Sequence, residues 1–101
     1  MNRFYARRFL NSPGHHAGAY VLAVVEQTRS DDADPYPEIF FELADCSRHV
    51  ALDFPLTTAS SRRNSVRKAR LLADAATRFA DALEAEADAI AERRRRPVKR
   101  S

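Results

Sequence analysis

Two hydrophobic periodicities divide the chain. Up to about residue 55, apolar and polar residues alternate with a period of two, which is typical of β-strands; from Thr58 onward apolar residues recur every three or four positions, which is typical of an amphipathic helix. Strands are expected over about residues 3–11, 19–27, 38–45 and 49–55, and one helix over about residues 61–95. The pattern predicts an α+β fold, a four-stranded antiparallel meander with a long C-terminal amphipathic helix packed on one face.

The predicted helix is longer than the sheet that precedes it. Residues 61–95 would span about 50 Å as a helix, whereas a strand of about eight residues spans about 26 Å. The second half of the helix therefore needs another surface to cover its apolar stripe, which consists of Phe79, Leu83, Ala87 and Ile90. A second copy of the chain is the simplest source, so a homodimer is expected. The alternative is a break near residues 73–77, but no glycine or proline stands there.

Length and cysteine content limit the kind of protein. A chain of 101 residues is expected to form one domain, residues 1–92, followed by a basic tail at 93–101. Cys46 is the only cysteine, so no intrachain disulfide can form, and a reducing cytoplasm is the expected compartment. No run of 18 apolar residues predicts a membrane span, and the first residues lack the apolar region of a secretory signal.

Charge is distributed in blocks along the chain. The net charge is +3, yet the tail alone carries six basic residues, and Asp31, Asp32 and Asp34 form an acidic loop. The predicted helix starts with five basic residues and no acid before Asp74, whereas residues 74–92 contain six acids and only Arg78 as a base. Arginine provides 15 of the 17 basic residues, a usage typical of high-GC genomes such as those of actinobacteria and their phages. Such blocks influence the choice of partner more than the fold.

The basic cluster at the helix start is the first candidate site. Its members are Arg62, Arg63, Arg67, Lys68 and Arg70, and at 100° per residue positions 63, 67 and 70 fall on one stripe. A helix N-terminus carries a partial positive charge, so this cluster is unfavourable unless an anion binds there. One interpretation is a phosphate site built from guanidiniums and backbone N–H groups. The other is a solvated helix face that pairs with Asp74 or with an acidic partner.

The first strand is the second candidate. Arg3, Tyr5, Arg7 and Phe9 alternate on one face, and the opposite face holds Phe4 and Leu10. If the helix covers the Phe4 face, the other face presents arginines and aromatic rings, the mixture with which proteins bind single-stranded nucleic acids. Tyr20 or Phe40 from neighbouring strands would extend this surface. Burial of Tyr5 and Phe9 in a dimer interface is the alternative.

Other residues provide weaker signals. The tail suits either non-specific phosphate contact or a solubilising role. His15, His16 and His49, with Cys46 and Asp45, lack the spacing of a metal site, so neither a metal nor any other cofactor is expected. The serines have no nucleophile motif around them, and the chain has only two glycines and no phosphate-binding loop, so no enzyme activity is expected.

Four antiparallel strands followed by one long helix resemble the PUR-domain and Whirly-like group of single-stranded nucleic acid binders. The segment "IFFELADCSRHVALDFPL", together with the helix that contains "RFADALEAEADAI", is similar to the strand–turn–strand–helix half of that unit. The resemblance covers residues 3–92 as topology, with no site residue carried over. It implies a dimer that binds nucleic acid.

Two functions of different classes remain open. The first is a small cytoplasmic homodimer that binds nucleic acid, preferably single strands, with little sequence preference. Phosphates would contact the helix-start cluster, Arg3 and Arg7, and bases would stack on Tyr5 and Phe9. The second is a non-enzymatic protein-interaction module, for example a phage-encoded modulator of a host protein, in which the acidic half of the helix attracts a basic partner.

Overall fold

The structure is a computed structural model that describes residues 3–26 and 37–96. Its elements are β1 (Arg3–Phe9), β2 (Tyr20–Glu26), β3 (Glu38–Asp45), β4 (Arg48–Ala51) and α1 (Ala59–Arg95). The strands form one antiparallel sheet in the order β1-β2-β3-β4, which confirms the predicted meander followed by a single long helix. The predicted acidic loop, Asp31, Asp32 and Asp34, lies outside the described residues, as do tail residues 97–101.

The strand register determines which side chains share a face of the sheet. Tyr5 is opposite Val24, and Val24 is opposite Phe40, so these three residues lie on one face, called here the Tyr5 face. Phe4 and its cross-strand neighbours Val25 and Ile39 lie on the other. The alternation expected for β1 is therefore present, with Tyr5, Arg7 and Phe9 on one side of the strand.

The sheet buries few residues. The buried apolar residues within the described ranges are Ala19, Val24 and Ala44, and two of these three are alanines. Phe41 and Phe54 add an edge-to-face ring contact with centroids 6.0 Å apart, the arrangement that aromatic pairs prefer. Large apolar side chains on both faces of β1, including Phe4 and Phe9, are exposed. The sheet thus leaves apolar surface for contacts beyond its own strands.

The chain divides into two compact units between Ser65 and Val66, within α1. The first unit contains the sheet and the start of α1, and the second contains the rest of the helix. In the second unit the apolar stripe faces solvent, with Phe79 67% exposed, Leu83 57% and Ile90 41%. These are three of the four residues predicted to need covering by another surface, and Ala87 is exposed as well.

Candidate nucleic-acid interface

The N-terminus of α1 is capped by two hydroxyl side chains. Thr58 Oγ1 accepts a hydrogen bond from the N–H of Ser61 at 3.0 Å, and Ser61 Oγ accepts one from the N–H of Thr58 at 2.9 Å. This reciprocal pair is a capping box in which serine replaces the usual glutamate. The first helical turn, Ala59–Ser61, is uncharged, and the arginines begin at the next residue. Because the field of the macrodipole falls off within the first turn, it repels the arginines less than their sequence position suggested.

Arg62 and Ser65 connect the start of α1 to the segment that precedes it. Arg62 Nη1 donates to the carbonyl of Leu56 at 3.2 Å, and Ser65 Oγ donates to the carbonyl of Pro55 at 2.7 Å. Ser65 is the most buried polar side chain of the described residues, at 3% exposure. Arg62 was predicted to contact phosphate, but its guanidinium already has a structural contact.

Arg63, Arg67 and Arg70 form the part of the cluster that remains available. They are exposed, they are spaced by four and three residues along one helix, and no ion pair engages them within residues 3–26 and 37–96. Lys68, the fifth member of the predicted cluster, has an interaction partner of its own. We call the first three residues the arginine stripe.

Arginines further along the same helix behave differently. Arg78 lies 3.0 Å from Asp74, and Arg93, Arg95 and Arg96 each have a glutamate oxygen within 4.0 Å. These exposed pairs contribute little stability, but they lower the net charge that a polyanion would encounter. The arginine stripe therefore differs from Arg78, Arg93 and Arg95 of the same helix by its lack of carboxylate neighbours.

On the Tyr5 face, arginine and aromatic side chains lie together as predicted. The Arg7 guanidinium carbon lies 5.4 Å from the centroid of the Phe9 ring, within the range of a cation–π contact. Tyr5 is 58% and Phe9 63% exposed, so both rings are accessible for stacking. The register places Tyr20 beside Phe9, which extends the aromatic surface onto β2. Arg3 pairs with Glu26 through the strand register, but its side chain lies outside the described part of the structure.

The Tyr5 face also carries carboxylates, which the sequence pattern had not been used to place beside Arg7. Leu22 is opposite both Arg7 and Glu42, so Glu42 belongs to this face, and the same register adds Glu26 and Glu38. Tyr20 donates its hydroxyl to Glu42 Oε1 at 2.9 Å, and this bond, more than burial, raises the pKa of Tyr20. The Tyr5 face is therefore better suited to stacking than to binding phosphate. Pairing the strands by their alternation would have revealed the carboxylates, because Glu38 and Glu42 alternate with the apolar residues of β3.

The histidines and the cysteine do not form a metal centre. His16 Nδ1 accepts a hydrogen bond from the N–H of Gly18 at 2.9 Å, and Cys46 Sγ lies 3.6 Å from His16 Nε2. Within the described ranges no three His, Cys, Asp or Glu side chains come close enough to hold a metal ion. A groove of about 490 Å³ runs beside Ile39 and Phe54, and of its described lining residues only Asp53 is titratable.

The chain matches no protein-family model, no curated protein and no solved structure. Among the described residues, no helix has the length and apolar character needed to cross a membrane. What can be stated of the class is an α+β fold of ββββα order.

Proposed function

We propose that the protein binds nucleic acid as a small homodimer, with a preference for single strands and little preference for sequence. The observation that supports this proposal is the contrast along α1, where Arg63, Arg67 and Arg70 have no carboxylate partner while Arg78 is paired at 3.0 Å. An exposed guanidinium without a partner is available for bidentate contact with a phosphate.

The dimensions of the arginine stripe suit a phosphate backbone. Positions 63 to 70 cover about 10 Å along the helix at about 1.5 Å per residue. A nucleic acid strand with about 3.4 Å of rise per phosphate presents roughly three phosphates over that distance. Three guanidiniums on one stripe can therefore contact about three consecutive phosphates. Contacts to the backbone provide affinity without sequence selection.

Single strands are preferred because the aromatic side chains of β1 are exposed. Tyr5 and Phe9 present their rings on an edge strand, where unpaired bases can stack and paired bases cannot. The carboxylates of the Tyr5 face would repel phosphates but not the uncharged bases. We therefore assign base stacking to the sheet and phosphate contacts to the helix. The ββββα order agrees with the resemblance to PUR-domain and Whirly-like proteins, and a relationship to that group is part of the proposal.

Binding of labelled oligonucleotides, followed by fluorescence anisotropy, tests the proposal with two matched variants. Arg67→Gln removes an unpaired arginine, and Arg78→Gln removes a paired one from the same helix. Each phosphate contact to a single strand contributes about 0.7 to the slope of log K against log salt. The affinity ratio of wild type to Arg67→Gln should therefore change roughly 2.5-fold between about 50 and about 200 mM salt, and that of Arg78→Gln should stay constant. Equal effects of the two variants, or no binding at low salt, would contradict the proposal.

A second function is favoured by a different observation. The second unit exposes Phe79 and Leu83 beside the acids Asp81 and Glu84, which together would suit a basic protein partner. In this alternative the chain is a non-enzymatic protein-interaction module. A pull-down whose partner persists after nuclease treatment, and is lost in Leu83→Asp, would support the alternative over the nucleic acid proposal.

A further inference from the structure

The apolar stripe of α1 has a period that allows two copies of the helix to pair. In the second unit, Ala69, Leu72, Ala76, Phe79, Leu83, Ala87 and Ile90 recur at steps of three and four, the spacing of a two-helix seam. The large members of the stripe are mostly exposed, as Phe79 and Leu83 show most clearly. Helices that pack along such a seam bury large side chains against small ones.

The charge along α1 distinguishes between the two possible orientations of a pair. Residues 62–70 contain five basic residues and no acid, a charge of +5. Residues 81–92 contain Asp81, Glu84, Glu86, Asp88 and Glu92 with no basic residue, a charge of −5. A parallel pair places like blocks side by side, whereas an antiparallel pair places each block beside its opposite.

We propose that α1 pairs with the α1 of a second copy in the antiparallel orientation, with the two-fold axis near Thr77 and Arg78. About this axis residue i lies near residue 155 − i of the other copy, and a two-fold contact repeats reciprocally. Leu72 then meets Leu83 of the second copy, and Ala76 meets its Phe79, so a small side chain faces the largest one. In a parallel pair in register, Phe79 would face Phe79 and Ala76 would face Ala76.

The same axis brings oppositely charged residues together at the edges of the seam. Lys68 lies near Glu86 of the second copy, because their numbers sum to 154 and both lie about 60° around the helix from the centre of the apolar stripe, and two-fold symmetry forms the pair twice. Apolar size, charge and symmetry therefore select one register.

The arginine stripe remains outside this contact. At 100° per residue, Arg67 lies roughly 160° around the helix from the centre of the apolar stripe. Each copy would therefore present its arginine stripe away from the other helix. The centres of the two arginine stripes would be about 30 Å apart along the helix direction. This inference rests on the dimer in the proposed function and does not depend on nucleic acid binding.

Distance measurement between spin labels tests the orientation in the full-length chain. A label at Ala91→Cys, in a Cys46→Ser background, lies 13.5 residues from the axis, so the antiparallel pair separates two labels by about 40 Å along the helix. A parallel pair would hold them within about 20 Å, since helix axes pack about 10 Å apart. A label at Thr77→Cys should give a short distance in either orientation and shows that the helices pair.

The molar mass in solution separates the possible failures. A dimer with a long distance at position 91 and a short one at position 77 is the expected result. A dimer with a short distance at position 91, or without a short one at position 77, would overturn the antiparallel pairing but leave the proposed dimer intact. A monomer at every concentration tested would overturn both, while anisotropy of the same sample would report separately on nucleic acid binding.

Discussion

The attachment of α1 through Ser65 provides a prediction whose size follows from the structure. Ser65 Oγ donates to the Pro55 carbonyl at 2.7 Å, and the side chain is 3% exposed. Ser65→Ala removes this hydrogen bond, and because Pro55 itself is exposed its carbonyl can bind water instead, so the loss is that of an ordinary hydrogen bond, about 0.5–1.5 kcal/mol. Alanine is the better helix former by roughly 0.5 kcal/mol, which offsets part of the loss. The expected net loss is about 0.5 kcal/mol.

Thermal unfolding followed by circular dichroism measures this loss. For a domain of this size, about 0.5 kcal/mol corresponds to a decrease in Tm of roughly 2–4 °C. Ser60→Ala is the matched control, because Ser60 is exposed in the same helix and should gain only its helix propensity. Both variants must be compared at one protein concentration, since the proposed dimerisation would make Tm depend on concentration. A Ser65→Ala chain as stable as Ser60→Ala would show that the contact with Pro55 contributes nothing.

Two further predictions concern hydrogen bonds of the first unit. The bond to Glu42 raises the pKa of Tyr20 above 10.0, so its stabilising effect is complete below about pH 10 and is lost as pH rises through the raised pKa. Glu42→Gln should lower that pKa toward its ordinary value, which phenolate absorbance during an alkaline titration measures; an unchanged titration curve would refute the assignment. Thr58→Ala removes the cap of α1 and should reduce the free energy of unfolding, measured in urea, by about 1 kcal/mol. Thr57 is also exposed, and Thr57→Ala should leave this free energy unchanged. Equal values for the two variants would contradict a capping role of Thr58.

The fold was predictable because its two periodicities are strong. Alternation in β3 and the three–four spacing from Val66 to Ile90 each allow one type of element, and connections with fewer residues than a parallel crossover needs favour antiparallel neighbours. The spacing of Arg63, Arg67 and Arg70 also needed only the helix period. These features depend on residues close together in the chain.

Features that depend on the path of the backbone were not predictable. The contact of Arg62 with the Leu56 carbonyl requires the course of the segment between β4 and α1. The bond between Tyr20 and Glu42 requires the register between β2 and β3, which a shift of one residue would abolish. The carbonyl contact of Arg62 and the hydrogen bond of Tyr20 were therefore not predicted, although the alternation of β3 already placed Glu38 and Glu42 on one face.

The salt dependence of oligonucleotide binding tests the central claim most directly. With about three phosphates per stripe, Arg63→Gln, Arg67→Gln and Arg70→Gln combined should reduce the slope of log K against log salt by about 2 per stripe engaged. A triple variant at Arg78, Arg93 and Arg95, which are all paired with carboxylates, removes the same formal charge and should change the slope much less. If both triple variants reduce the slope equally, net charge rather than the arginine stripe governs binding. If neither does, the stripe does not contact phosphate.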